Sequence, residues 1–362
     1  MTSLTQILLA SIEATGCTVP NIGLLQPADP ILDTTGEDLR RRIFITQENS
    51  GRKLCLRPEF TIPICLEHLE KGWHKARYAY GGKVFRQRGN AAAEFTQVGF
   101  ENLGSDDTNS ADIDCIKTAI TALEAAGEKN MSLVLGDQAI FVSVLEALRI
   151  PQAWRKKLIR SFGDDTRLAA SLVEMSSTTM NSMDGLDDKL KDALATKDAE
   201  TATAYVEGEM LDQGLPLTGG RTASSIATRM IEKAELASEK LDDSTRKKLE
   251  AFLAIDVDLK DASDAIEAFE NENGLMLPLA KEELAARFEG LQGSLTNMRY
   301  KASFGRRLDY YTGFVFELYR KKLKKPIAGG GRYDRLLTLL GAYEEIPAVG
   351  FAIWVDRLES AT

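Results

Sequence analysis

Apolar positions Leu4, Ile7, Leu8 and Ile12 recur at the spacing of a helix turn, and Gly16 follows them as a stop. The pattern predicts an opening amphipathic helix. Pro20, Pro27 and Pro30 then break regular structure. Residues 42–46 and 53–56 are rich in β-branched and aliphatic side chains around Asn49-Ser50-Gly51, which predicts a hairpin. A helix is expected over 61–71. Residues 77–88 and 94–102 read as two strands joined by a Gly-Asn-Ala-Ala-Ala loop. Ile113, Ile116, Ala119 and Ile120 predict a helix over 112–126, and 131–135 predicts a short strand.

The character changes near residue 138. From there to about 289 the chain is rich in Ala, Leu, Glu, Asp and Lys, with almost no strand-like runs. Ile140, Phe141, Val144, Leu145 and Leu148 mark one helix, and Ile226 and Met230 another. The clearest break is Leu215-Pro216-Leu217-Thr218-Gly219-Gly220. Strand patterns return at 298–304, 314–319 and 348–353. The expected fold class is therefore α+β: an antiparallel sheet domain in two pieces, 1–137 and 296–362, flanked by helices and interrupted by a mostly helical insertion, 138–295.

Composition narrows the function. Of 362 residues, 44% are hydrophobic and 27% charged, an ordinary globular balance. The net charge of -9 argues against a nucleic-acid partner, which usually demands a concentrated basic face. Two histidines and four cysteines, with no Cys-x-x-Cys pair, argue against a His/Cys metal site, and none is expected. Cys55 and Cys65 lie among apolar residues, as reduced core thiols of a cytoplasmic protein would. The N-terminus has no basic region followed by a long apolar run, and no membrane span is expected.

Several segments carry candidate chemistry. Glu59 and Thr61 stand one residue apart at a strand-to-helix junction. Together they offer an ammonium group a carboxylate and a hydroxyl; alternatively, Thr61 caps the helix and Glu59 is a surface residue. Gln97, Gly99 and Glu101 share one face of a strand, with Gly99 leaving room for a ligand; a solvated strand face is the other reading. Asp309-Tyr310-Tyr311 precedes a strand, and its tyrosines are either structural or functional. Gly329-Gly330-Gly331 either cradles a phosphate or permits close backbone approach, and it is not a P-loop.

Taken together and in this order, these segments resemble the core of class II aminoacyl-tRNA synthetases, in particular histidyl-tRNA synthetase. Residues 80–101 resemble that class's second motif, and 349–358 its third. Residues 306–311 and 330–334 resemble the two histidine-specific signatures. The resemblance covers roughly 1–135 and 296–362. It implies that Glu59, Thr61 and Gln97 hold the ammonium end of L-histidine. It implies that Glu101 and Tyr311 grip the imidazole, that Tyr310 and Tyr333 close the pocket, and that Arg306 lies near the carboxylate.

The departures from that pattern fall at the ATP end. The second-motif loop reads Arg86-Gln87-Arg88-Gly89-Asn90-Ala91-Ala92-Ala93-Glu94, with Arg88 where the synthetases have an acidic residue and alanines at its tip. Trp354 stands near a glycine of the third motif, and Arg307 and Arg335 replace glycines. Arg86 and Arg357 are retained as possible anion-binding residues. The sequence ends at Thr362, where a synthetase continues into an anticodon-binding domain. The pattern is similar to that of the regulatory subunits of ATP phosphoribosyltransferase. That resemblance implies a non-catalytic subunit without a cofactor, which activates a short-form catalytic subunit and senses L-histidine. It further implies a homodimer within a hetero-oligomer, with no tRNA partner. The alternative is a truncated synthetase paralogue that activates an amino acid with ATP.

Overall fold

The computed structural model describes residues 3–176, 186–214, 222–239, 241–306, 308, 310–320 and 324–359. The expected break at 215–220, and Arg307, Asp309 and Thr362, lie outside the described residues. The chain divides into two compact units. One comprises 1–144, 162–164 and 251–362; the other comprises 145–161 and 165–250.

The first unit is built on an eight-stranded sheet. The strands in chain order are β1 (Leu25–Pro27), β2 (Ile45–Gln47), β3 (Lys53–Leu56), β4 (Ala76–Phe85), β5 (Glu94–Leu103), β6 (Met131–Asp137), β7 (Asp256–Asp258), β8 (Met298–Lys301), β9 (Phe314–Arg320), β10 (Ala328–Arg332) and β11 (Ala348–Trp354). The large sheet runs β4-β5-β11-β10-β9-β6-β8-β7, and a small one runs β1-β3-β2. All pairs are antiparallel except β6 with β8. The hairpin around Asn49-Ser50-Gly51 forms as expected, between β2 and β3. The opening helix is Leu4–Glu13, capped by Ser3 and Gln6 in a reciprocal capping box. Gly16 follows with φ 85°, a conformation that costs glycine little.

The glycine triplet lies inside β10, buried between β9 and β11. A side chain at Gly330 would meet the Gly350 carbonyl and lie 2.7 Å from Phe351 Cβ. The triplet therefore allows close backbone approach rather than cradling a phosphate. Its strand escapes the sequence pattern because glycine is depleted from strands.

The segment expected as one insertion, 138–295, divides between the two units. β7 pairs with β8, so it belongs to the large sheet. Phe141 stacks on Phe162 and Phe252, and Phe269 meets Phe252 at a tilt, in one chain of rings within the first unit. Helix Ala280–Leu291 packs on helix Thr108–Ala125 closely enough that a Cβ on Gly290 would strike Ile113. The second unit has its own core, formed by Leu190, Leu194, Val206 and Met210 with alanines from helices Asp188–Ala195, Ala199–Asp212 and Ala223–Ser238. Among the described residues, no helix is long and apolar enough to cross a membrane.

A buried charge network ties these parts of the first unit together. Arg332, at the end of β10, donates to Asp112 on helix Thr108–Ala125. Arg287 on helix Ala280–Leu291 donates to Asp137 at 2.6 Å, and Asp137 also accepts from the Ala139 amide at 2.8 Å. Asp137 is fully buried and Asp112 nearly so. Each charge here is held by opposite charge and hydrogen bonds, the condition under which buried ions are tolerated.

Candidate functional site

The strand face formed by β5 and β11 closes over a cavity of about 40 Å³, room for a few water molecules. It is lined by Glu59, Thr61, Arg86, Gln97, Glu101, Arg306, Tyr310, Tyr311 and Tyr333 together with Phe60, Tyr80 and Trp354. Nine of the ten expected site positions thus meet at one place. Arg357 is the exception: it stacks on Trp354 at 4.0 Å and donates to the Pro326 carbonyl at 2.5 Å.

The register explains the gathering. Gln97, Gly99 and Glu101 alternate onto one face of β5, opposite Trp354, Ala352 and Gly350 of β11. Both polar side chains are buried, so the solvated-face reading falls. Gly350 has no side chain, and a Cβ there would collide with the Glu101 carboxylate. Gly99 faces Tyr80 across the β4–β5 pair, and a Cβ on Gly99 would strike the Tyr80 ring. Tyr80 in turn stacks on Phe60 at 4.4 Å and donates to the Phe351 carbonyl at 3.0 Å. Tyr80 is the residue that the sequence reading missed; its only signal was the glycine opposite it.

Glu59 is neither exposed nor simply a ligand arm. Its carboxylate accepts from the Thr61 amide at 2.7 Å and the Ile62 amide at 2.9 Å, at the start of helix Thr61–Lys71. It therefore does the capping that was considered for Thr61, satisfying donors the helix leaves open. Thr61 instead turns its hydroxyl to Glu101, donating at 2.6 Å. Tyr333 donates to the other Glu101 oxygen. Burial pushes the Glu101 carboxyl up to about 8, against the pull of these two hydroxyls. Burial likewise raises Glu59, opposed by the helix amides and Arg86.

The cationic side is half-buried, at Arg86 and Arg306. Arg306 donates to the Tyr311 hydroxyl at 2.8 Å and sits 3.5 Å from Glu317. Burial works against its charge, but Tyr311 and Glu317 leave it above its ordinary value. Arg86 donates to the Pro58 carbonyl at 2.6 Å. Burial lowers its pKa, with Glu59 opposing. Gln97 is 2% exposed, and no hydrogen bond of its side-chain amide is found among the described residues. The cavity thus offers two carboxyls, two guanidiniums, an amide and four tyrosines, a set suited to a small zwitterion with a polar side chain.

Trp354 fills the space beside this cavity. It is 7% exposed, with Arg306 5.5 Å and Arg357 4.0 Å from its ring. Arg88 pairs with Asp356 at 3.0 Å and lies over Phe95 at 4.2 Å. Arg335 forms an exposed pair with Glu345. No cluster suited to a metal ion occurs among the described residues.

Comparison with known proteins shows the family and the fold. The model of the family described as histidyl-tRNA synthetase matches residues 1–202 and 221–358. A protein of Brucella anthropi named ATP phosphoribosyltransferase regulatory subunit is 44% identical over 97% of this chain and 95% of its own length. A protein of Rhizobium johnstonii with the same name is 46% identical over 93% of this chain and 91% of its own. Among solved structures, an ATP phosphoribosyltransferase regulatory subunit/histidyl-tRNA synthetase from Bacillus halodurans C superposes with TM-score 0.65 at 21% identity, over 99% of this chain and 78% of that one. Histidyl-tRNA synthetase from Nostoc sp. PCC 7120 superposes with TM-score 0.64 at 16% identity, over 99% of this chain and 70% of that one. The shared fold is the histidyl-tRNA synthetase sheet, and the chain belongs to the family of ATP phosphoribosyltransferase regulatory subunits.

Proposed function

We propose that this chain is a non-catalytic subunit that activates a short-form ATP phosphoribosyltransferase catalytic subunit and binds L-histidine as the feedback effector. The observation that carries this reading is the near full-length identity of 44–46% to relatives bearing the regulatory-subunit name. The cavity supports the effector. Glu101 and Tyr311 take the imidazole, Glu59, Thr61 and Gln97 the ammonium, and Arg306 the carboxylate, while Tyr310 and Tyr333 close over them. The imidazole carries two nitrogens, and charged hydrogen bonds are the strong way to hold them.

The hydrogen bonds across the cavity give the effector something to change. A ligand that pairs with Glu101 and Arg306 competes with the Tyr333–Glu101 and Arg306–Tyr311 bonds. A ligand that binds the opened pocket more tightly shifts the population toward it, and that shift is the signal to the catalytic partner. The chain acts as a homodimer within a hetero-oligomer and works without a cofactor or tRNA. Its four cysteines are free thiols, in keeping with the reducing cytoplasm.

Trp354 wedged against two arginines, and Arg88 engaged by Asp356, support the absence of ATP-dependent amino-acid activation. Arg86 and Arg306 still face the cavity, which is what a truncated synthetase paralogue would require. Calorimetric titration with L-histidine, run beside histidine-dependent pyrophosphate exchange, separates the two. Saturable binding with no exchange is the expected result. Exchange above background overturns the non-catalytic reading, and no binding at millimolar histidine overturns the sensor.

A further inference from the structure

The second unit contains a hollow that the proposed function does not use. It is an open hollow of about 420 Å³, within the size range of small-molecule sites, with Lys156, Arg229 and Lys233 exposed at its rim. Three helices wall it. Helix Gln152–Ser161 contributes Ala153, Lys156, Lys157 and Arg160, which recur at one-face spacing. Helix Ala223–Ser238 contributes Arg229, Glu232, Lys233 and Leu236 at the same spacing. Arg167 and Glu174 come from helix Asp165–Ser176.

The lining carries six cationic side chains against three carboxylates, in a protein whose net charge is -9. The carboxylates are already engaged. Glu174 pairs with Lys157 at 2.5 Å, Glu232 with Arg160 at 3.5 Å, and Glu235 with Lys197 at 2.7 Å. Lys156, Arg229 and Lys233 converge on the same space with no carboxylate partner among the described residues. Like charges gathered in a concave, partly apolar site raise the local positive potential, which only an anion relieves. Ala153, Leu236 and the lysine stems give the floor an apolar component that suits an organic body beside the charge.

We propose that this hollow binds a small metabolite through a pyrophosphate group, with Lys156, Arg229 and Lys233 as its principal contacts. Three unpaired cations match a compact polyanion better than a single carboxylate. The site is independent of the histidine pocket, since none of the residues lining that pocket takes part.

The test is calorimetric titration of the full chain with inorganic pyrophosphate at low and at physiological ionic strength. Three variants accompany the wild type: Arg229→Glu/Lys233→Glu, Lys156→Glu and Arg86→Ala. The expected result is saturable binding that weakens with salt, falls about tenfold or more in the double variant, falls to a lesser degree in Lys156→Glu, and persists in Arg86→Ala. If the double variant loses helical circular dichroism, Lys156→Glu decides the matter, because that side chain is exposed and makes no ion pair among the described residues. Absent binding by the wild type, unchanged affinity in a folded charge-reversal variant, or loss confined to Arg86→Ala each overturns the proposal.

Discussion

Replacing Glu101 with Gln removes a titration that the fold holds far from its ordinary position. The carboxyl is 1% exposed, and burial pushes its pKa from 4.5 up to about 8. The unfolded chain releases this proton near the lower value, whereas the folded chain keeps it to the upper one. Folding stability therefore falls as pH rises through that window and is untouched below it. One unit of pKa separation corresponds to about 1.4 kcal/mol. Between about pH 5 and about pH 7.5 the single carboxyl thus removes about 3 kcal/mol of stability. A Gln side chain has the same shape without the charge, and the Thr61 and Tyr333 hydroxyls can rotate to meet its amide. Denaturant midpoints of the ligand-free protein across this range measure the difference. The wild type is expected to lose about 3 kcal/mol more than Glu101→Gln on going from the lower to the higher pH. Parallel pH profiles would refute the reasoning, because the buried proton would then not be held at Glu101.

Other substitutions probe the remaining parts. Glu101→Ala should weaken L-histidine binding by about 1–3 kcal/mol, the cost of leaving its buried partner without a hydrogen bond, as read by calorimetry. Gly350→Ala should cost about 1–3 kcal/mol in equilibrium unfolding, because its Cβ collides with the Glu101 carboxylate and the β5 backbone. Asp137→Ala should destabilise the first unit by about 3–5 kcal/mol, since Arg287 loses its 2.6 Å partner while buried. Saturation with L-histidine at about a hundred times its dissociation constant should raise stability by about 2.7 kcal/mol, measured from the same unfolding curves.

Much of the sheet was legible because its strands are short runs of strand-forming residues between turn signals. β5 and β11 are buried along nearly their whole length and read as strand-forming runs rather than by alternation, and helix Thr61–Lys71 has the boundaries its spacing predicts. β1 and β7 are three residues long, too short for any period to show. β10 was hidden by its own glycines, whose value lies in what they let neighbouring strands do. The split of 138–295 between two units was not legible either. A helix pattern gives the buried face but not the core it faces, and Phe252 and Phe269 join Phe141 only through long-range packing.

The candidate site divides the same way. The shared face of Gln97 and Glu101 follows from strand periodicity alone, and the structure gathers both into the cavity. The reversal of roles between Glu59 and Thr61 depends on side-chain geometry that spacing does not carry. Tyr80 becomes visible only once the β4–β5 register places it against Gly99. The network joining Arg287, Asp137, Asp112 and Arg332 spans distant segments, so no local pattern announces it.

The most direct test of the central claim is the rate of phosphoribosyl transfer from phosphoribosyl pyrophosphate to ATP by the short catalytic subunit of the same organism, with and without this protein. The account predicts a large rate increase on adding the protein, reversed by L-histidine, with the reversal weakened in Glu101→Ala. An unchanged rate with no complex formed would contradict it.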